Sequence, residues 1–200
     1  MKRPGYFQLL YHTSAAALFV FLVYDWKTDR LGFEPIIEAT HRTGSYALYF
    51  LFASLSCTPV NILTGWTKPL QFRRALGLYS FFFAVIHALI FFVIDFGLDV
   101  DFLIDGFVKK PYALAGFAAL LLMIPAAVTS TKNSMRKLKK NWKRIHRLVY
   151  GTAAFVLIHF IWLVKSDVRE PFVWAVFYIF LMVVRQPRIR KWIENKRAQS

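Results

Sequence analysis

Two hundred residues with a mean hydropathy of +0.43, 57% apolar side chains and 18% aromatics lie well away from a soluble average. The formal net charge of +15 raises the question of nucleic acid, and the placement of the charges answers it. They fall in blocks between apolar runs, as in a protein whose loops are sorted across a membrane.

Five runs of 17 to 20 residues contain no Asp, Glu, Lys or Arg: Tyr6–Tyr24, Tyr46–Leu63, Ala75–Ile94, Tyr112–Thr129 and Leu148–Val164. At about 1.5 Å per residue each is long enough, or nearly so, to cross roughly 30 Å of hydrocarbon. A sixth run, Phe172–Val184, has 13 residues and spans only if Glu170 and Arg185 reach out to the two interfaces. The fold class expected is therefore all-α: a polytopic bundle of six transmembrane helices over about 6–24, 46–63, 75–94, 112–129, 148–164 and 171–185. Of the 26 Lys and Arg, nineteen lie in the N-terminal segment (Lys2, Arg3), in the second and fourth connections, or from Arg185 onward. The other connections hold ten of the eleven acids. The positive-inside rule then puts both termini in the cytoplasm, and the basic surplus meets lipid headgroups.

In chain order, the first run contains Ser14, Ala15, Ala16 and Ala17 in mid-run with no cleavage site after Tyr24, so it reads as an uncleaved helix. It carries Gln8, His12 and Thr13, which are expected to face other helices. His41, Arg42, Thr43 and Gly44 lead from an acidic outer loop into the second helix, where Pro59 either kinks or closes the element. Cys57 inside that helix reads as a packing residue. Arg73 and Arg74 open the third helix. An acidic outer loop follows, and Pro111 fits a first helical position of the fourth helix, which Pro125 should bend. No internal repeat, low-complexity segment, G-x-G-x-x-G or P-loop is legible, so the expectation is one membrane domain over 1–200 without a nucleotide-binding module.

Trp142–Lys165 passes from a cationic cluster into an apolar run and holds two histidines, His146 and His159. A histidine inside the bilayer needs a partner or a metal. His87 is 12 residues past Ala75 and His159 is 11 past Leu148, so the two lie about 18 and 17 Å from the cytoplasmic ends of parallel helices. Two imidazoles at one depth on facing helices are what a six-coordinate haem iron takes as axial ligands. A proton relay or a polar helix contact would use the same residues. Phe82, Phe83, Phe91, Phe92, Gly151 and Phe160 are candidates to wall a macrocycle. His146 precedes His159 by 13 positions, roughly 220° around an ideal helix and about 20 Å nearer the cytoplasm. It is either an interfacial histidine, an alternative ligand or part of a second haem site.

Taken together, Arg73–Leu78 with His87, Lys110-Pro111-Tyr112, Pro125, Thr129-Ser130, and Trp142-x-x-x-His146-Arg147-Leu148-Val149-Tyr150 with His159 resemble one bacterial family. Gly32-x-x-Pro35 and His41–Gly44 fit the same pattern. It is the haem-binding membrane subunit of the protein-methionine-sulfoxide reductase system (the MsrQ family), within the ferric-reductase-like transmembrane group. The resemblance implies an electron-transfer subunit of the bacterial inner membrane with b-type haem. It also implies FMN, quinone as electron donor, and a periplasmic molybdenum-containing methionine-sulfoxide reductase subunit as partner. By position, His87 and His159 resemble the haem ligands and His146 a third histidine implicated in haem binding. Lys139 stands where the family often has glycine, and Phe91 where it often has tyrosine. With no dehydrogenase domain in view, reducing power is expected from quinol or another protein. The competing classes are a proton-coupled transporter or channel, a structural anchor, and a stand-alone metal-ion reductase. Against the transporter stands the absence of acidic residues within the runs.

Overall fold

The computed structural model describes residues 6–164 and 167–199, except the side chains of 6–11, 102 and 105, and every regular element among them is helical. Lys2 and Arg3, counted above toward a cytoplasmic N-terminus, and the Gln8 side chain lie outside the described residues. The elements are α1 (Tyr6–Lys27), α2 (Pro35–Thr64), α3 (Arg73–Leu89), α4 (Val100–Lys109), α5 (Pro111–Val128), α6 (Lys132–Leu138), α7 (Lys140–His146), α8 (Leu148–Leu163), α9 (Arg169–Arg185) and α10 (Pro187–Gln199). A 3-10 turn at Lys68–Gln71 leads into α3, and a π-helical turn at Ile90–Asp95 continues it.

Four of these segments are long and apolar enough to cross a membrane: α2, α3 with its π-turn, α5, and α7 together with α8. α9 and α10 make a fifth if the pair, bent by 71°, counts as one span. Half of the apolar stretch of α2 is buried against 17–22% for the other three, which makes α2 the central helix. Leu48, Leu51, Phe52 and Leu55 of α2 form one core with Ala153 and Leu157 of α8 and Leu181 of α9. Phe50 of α2 joins Ala15 of α1 and Phe83 of α3 in another. Apolar side chains such as Phe21, Phe172 and Ile179 point outward, as they do where the surrounding medium is hydrocarbon.

Three boundaries differ from expectation, each for a local reason. α2 begins at Pro35, eleven residues before the apolar run, so His41–Gly44 are helical and not a lead-in loop. Pro35 suits a first-turn position, and the charge that enters the helix is neutralised. Arg42 pairs with Glu38 at 2.7 Å and reaches Asp25 of α1 at 2.6 Å. Pro59 neither closes nor ends α2, which continues to Thr64 and stops at Gly65, whose φ of 75° places it in the left-handed region. The acidic connection after α3 contains helix α4, and the basic connection after α5 contains α6 and α7. α6 starts where the Thr131 side chain accepts from the Ser134 N–H.

α6 passes to α7 through Lys139, at φ 47° and ψ −114°. A β-carbon is strained in that region, where glycine is not. Lys139→Gly is expected to raise stability by about 1 kcal/mol, read as a higher thermal unfolding midpoint in detergent. An unchanged or lower midpoint would show that Lys139 carries no strain.

Candidate functional site

His87 of α3 and His159 of α8 face each other with ring centroids 6.1 Å apart and planes at 87°. The depth match read from the sequence therefore becomes a contact. Each ring is fixed from behind by a neighbouring helix. His87 Nδ1 is 2.8 Å from the Thr40 carbonyl of α2, and His159 Nδ1 is 2.7 Å from the Tyr112 carbonyl of α5. A carbonyl only accepts, so each Nδ1 carries the proton and each Nε2 keeps its lone pair for a ligand bond. A relay is poorly served by this arrangement, because neither carbonyl has a proton to pass on.

Glycine makes each cradle possible. In a helix the Cβ of residue i+4 leans back toward the carbonyl of residue i, and at both cradles that residue is glycine. A Cβ on Gly44 would meet the His87 ring at 3.2 Å, and one on Gly116 would meet His159 Nδ1 at 2.8 Å. The two cradles are copies. Thr40 and Tyr112, Gly44 and Gly116, and His87 and His159 are each 72 positions apart. Seven residues before the histidines stand Ser80 and Thr152, also 72 apart and both buried. α2 packs chiefly on α3, and α5 chiefly on α8. The site is thus built from two equivalent helix pairs. The sequence shows no repeat because few positions keep the same residue. The glycine 43 positions before each of these histidines was the available signal.

This geometry suits a haem iron. Two imidazole nitrogens, each about 2 Å from one metal on opposite sides, set ring centres about 6 Å apart, near the separation found. Their Nδ1–H donors are already engaged, as ligating histidines usually require. Of the expected macrocycle walls, Phe82 and Phe83 turn toward α1 and α2, touching Phe19, Tyr46 and Phe50. Phe160 packs against the α2–α8–α9 core. Phe91 and Phe92, within the π-turn, join Phe96, Phe107 and Phe117 in an aromatic cluster. The ring that does lie beside the pair is Tyr112, 5.8 Å from His159.

His146 stands elsewhere. α7 ends with it, and a single residue in the helical region, Arg147 (φ −74°, ψ −19°), separates it from α8, the two forming one 24-residue span. Trp142 stacks on its ring at 3.9 Å, the Trp142 carbonyl lies 3.1 Å from Nδ1, and the Ser130 hydroxyl lies 3.4 Å from Nε2. It lines a cavity with Arg73, Arg74 and Arg185, in which no other histidine appears among the described residues. Shifting His146 by the same 72 positions gives Arg74.

A helical bundle long and apolar enough to cross a membrane, with a facing histidine pair, is an arrangement that membrane haem proteins use, and the comparisons narrow the reading. The family model described as "ferric reductase like transmembrane component" matches residues 42–158, ending one position before His159. The protein-methionine-sulfoxide reductase heme-binding subunit MsrQ of Xanthomonas oryzae pv. oryzae (strain MAFF 311018) is 45% identical over 148 residues, covering 74% of this chain and 68% of the relative. The subunit of the same description from Rhodospirillum rubrum is 41% identical over 163 residues, 80% of this chain and 78% of its own length. No solved structure matches. The chain belongs to the MsrQ family of haem-binding subunits, within the ferric-reductase-like transmembrane proteins.

The glycine cradles generate a graded expectation. Gly116→Ala forces its methyl against His159 Nδ1 and is expected to reduce haem content several-fold in protein purified with haem supplied. Gly44→Ala, with a looser contact, is expected to reduce it less. Gly77→Ala, whose Cβ meets only Ser54 Oγ at 3.5 Å, should leave the visible spectrum unchanged. Equal haem in all three would sink the cradle account.

Proposed function

We propose that this chain is the b-type haem electron-transfer subunit of a methionine-sulfoxide reductase system, with His87 and His159 as axial ligands. The observation that carries this reading is the histidine pair, 6.1 Å between ring centres, with both Nδ1 atoms engaged by helix carbonyls. When bound, haem supplies a one-electron iron couple. α2 and α5 fix the ligand rings through the two carbonyls, and the low-dielectric helices exclude water and set how strongly a charge change at the iron is felt.

The reading extends to six spans in the bacterial inner membrane. α1, of 22 residues, is the first and α9, of 17, the last, with both termini in the cytoplasm. The distribution of Lys and Arg supports this orientation. Under it the histidine pair lies nearer the periplasm. Reducing equivalents come from the quinone pool, and the acceptor is a periplasmic molybdenum-containing subunit that repairs oxidised methionines. The family resemblance supports both assignments, and it also supports FMN as a second cofactor. His146 is proposed as a residue of the cytoplasmic side and not as a third ligand of the same iron.

Oxidised and dithionite-reduced visible spectra test the ligand pair. His87→Ala and His159→Ala are each expected to abolish the low-spin haem signal, while His146→Ala retains it. Retention in either of the first two variants, or loss only in the third, would overturn the assignment. The donor is tested in proteoliposomes. Added quinol is expected to reduce the ferric protein, and NADH alone is expected not to. Reduction by NADH with no other protein present would remove the quinone reading.

A further inference from the structure

The segment between the π-turn and α5 holds neither histidine, yet it folds tightly back at the end of the bundle that the proposed orientation places outward. Gly97 at φ 60° and Leu98 at φ 59° follow one another in the left-handed region. For a leucine that conformation is strained and persists only where surrounding contacts hold it. The reversal is pinned by the Leu98 N–H, which donates to the Phe92 carbonyl at 2.9 Å, and by the Phe96 N–H, which donates to the Phe91 carbonyl at 3.1 Å. At its other end α4 is joined to α5 by one residue, Lys110. Short tethers therefore hold α4 across the ends of α3 and α5.

Beneath α4 lies the aromatic cluster beside the histidine pair. Phe91 stands four positions beyond His87, one turn and about 6 Å further along. Phe117 follows Gly116, the glycine that cradles His159. Phe107 of α4 reaches Phe91, Phe92 and Phe117 together, with ring centres 6.4, 6.1 and 6.0 Å away. Gly106 is buried and lets the helix descend, since a Cβ there would meet Phe96 Cε1 at 2.5 Å. Val100, Ile104 and Val108, one turn apart on another side of α4, are exposed. A helix packed on one side only is a cover and not part of the core. Phe rings within hydrocarbon need no such cover, because lipid is as apolar as they are. Rings at the aqueous end do.

We propose that α4 selects the electron acceptor. Phe107, seated on Phe91, Phe92 and Phe117, keeps charged soluble oxidants such as ferric chelates from the outer edge of the histidine site, and electrons leave to a docked protein instead. A dissolved oxidant must come close to the haem edge, and a charged chelate enters an apolar layer only by losing its hydration. This role rests on the reading of His87 and His159 as haem ligands, and it sets the subunit apart from a stand-alone metal-ion reductase.

Reduced full-length protein, freed of dithionite, is mixed anaerobically with ferric citrate, one electron passing from each ferrous haem to one Fe(III). Reoxidation is expected to be slow in the wild type and several-fold faster in Phe107→Ala and in Gly106→Leu, with the low-spin spectrum unaltered. Menadione, a neutral oxidant that arrives through hydrocarbon, takes two electrons from two haems and two protons to give menadiol. It is expected to act at one rate on all three proteins. A second readout needs no haem. In a Cys57→Ser background, Phe92→Cys is expected to react several-fold faster with a membrane-impermeant maleimide once Phe107→Ala is added. Phe107 is half-buried, so its truncation stays informative if Gly106→Leu fails to fold. Equal ferric citrate rates in the wild type and Phe107→Ala would overturn the proposal, as would equal labelling, or a gain with menadione as large as that with ferric citrate. A wild type without a haem spectrum would remove the haem reading, and with it the acceptor role, while the labelling comparison would still decide whether α4 is a cover.

Discussion

Two hydrogen bonds from imidazole to helix carbonyl hold the organisation of this protein together. A helix carbonyl is normally screened by the side chain four residues later, which leans back over it. Where that residue is glycine, a ring from a neighbouring helix can reach the oxygen. Gly44 and Gly116 open this approach, and His87 and His159 use it. The bonds serve two ends at once. They satisfy a polar atom that lipid cannot satisfy, and they leave the second nitrogen of each ring without a proton and free to bind a metal. Every larger feature of the site, including the pairing of α2 with α3 and of α5 with α8, keeps those contacts in register.

Duplication at one level and divergence at the other give the bundle its polarity. The copies agree at the histidine pair and differ where Arg74 faces the cavity that His146 lines. The difference is chemical as well as positional. Two neutral rings with free lone pairs suit a metal, whereas a guanidinium donates protons and offers no lone pair. α2 takes part at both levels, through the Thr40 carbonyl at one end and through Ser54, Leu55 and Thr58 at the other. Its greater burial follows from serving as the common wall.

Much of this was legible before any coordinates. Uncharged runs locate helices because the hydrocarbon excludes charge, and counting residues from the start of each run gives depth because rise per residue is constant. That is why His87 and His159 could be matched. Helix ends were less legible. The extension of α2 to Pro35 depends on Arg42 finding Glu38 and Asp25, and the second of these partners lies 17 positions away. Helices α4, α6 and α7 were hidden in charged connections, where apolar runs give no signal. The surroundings of Phe82 and Phe83 were not legible because a Phe-rich helix offers aromatics on every side, and only packing shows that they turn toward α1 and α2.

The sequence by itself determined a helical membrane protein, the depth of its paired histidines and the sorting of its charges, because each follows from position along one helix and the cost of placing charge in lipid. Tertiary structure alone decided which carbonyls hold the imidazoles, that the two halves of the site are copies, and that arginines share the cavity His146 lines. The two imidazole–carbonyl contacts each join residues 47 positions apart, and no local pattern specifies which helix faces will meet.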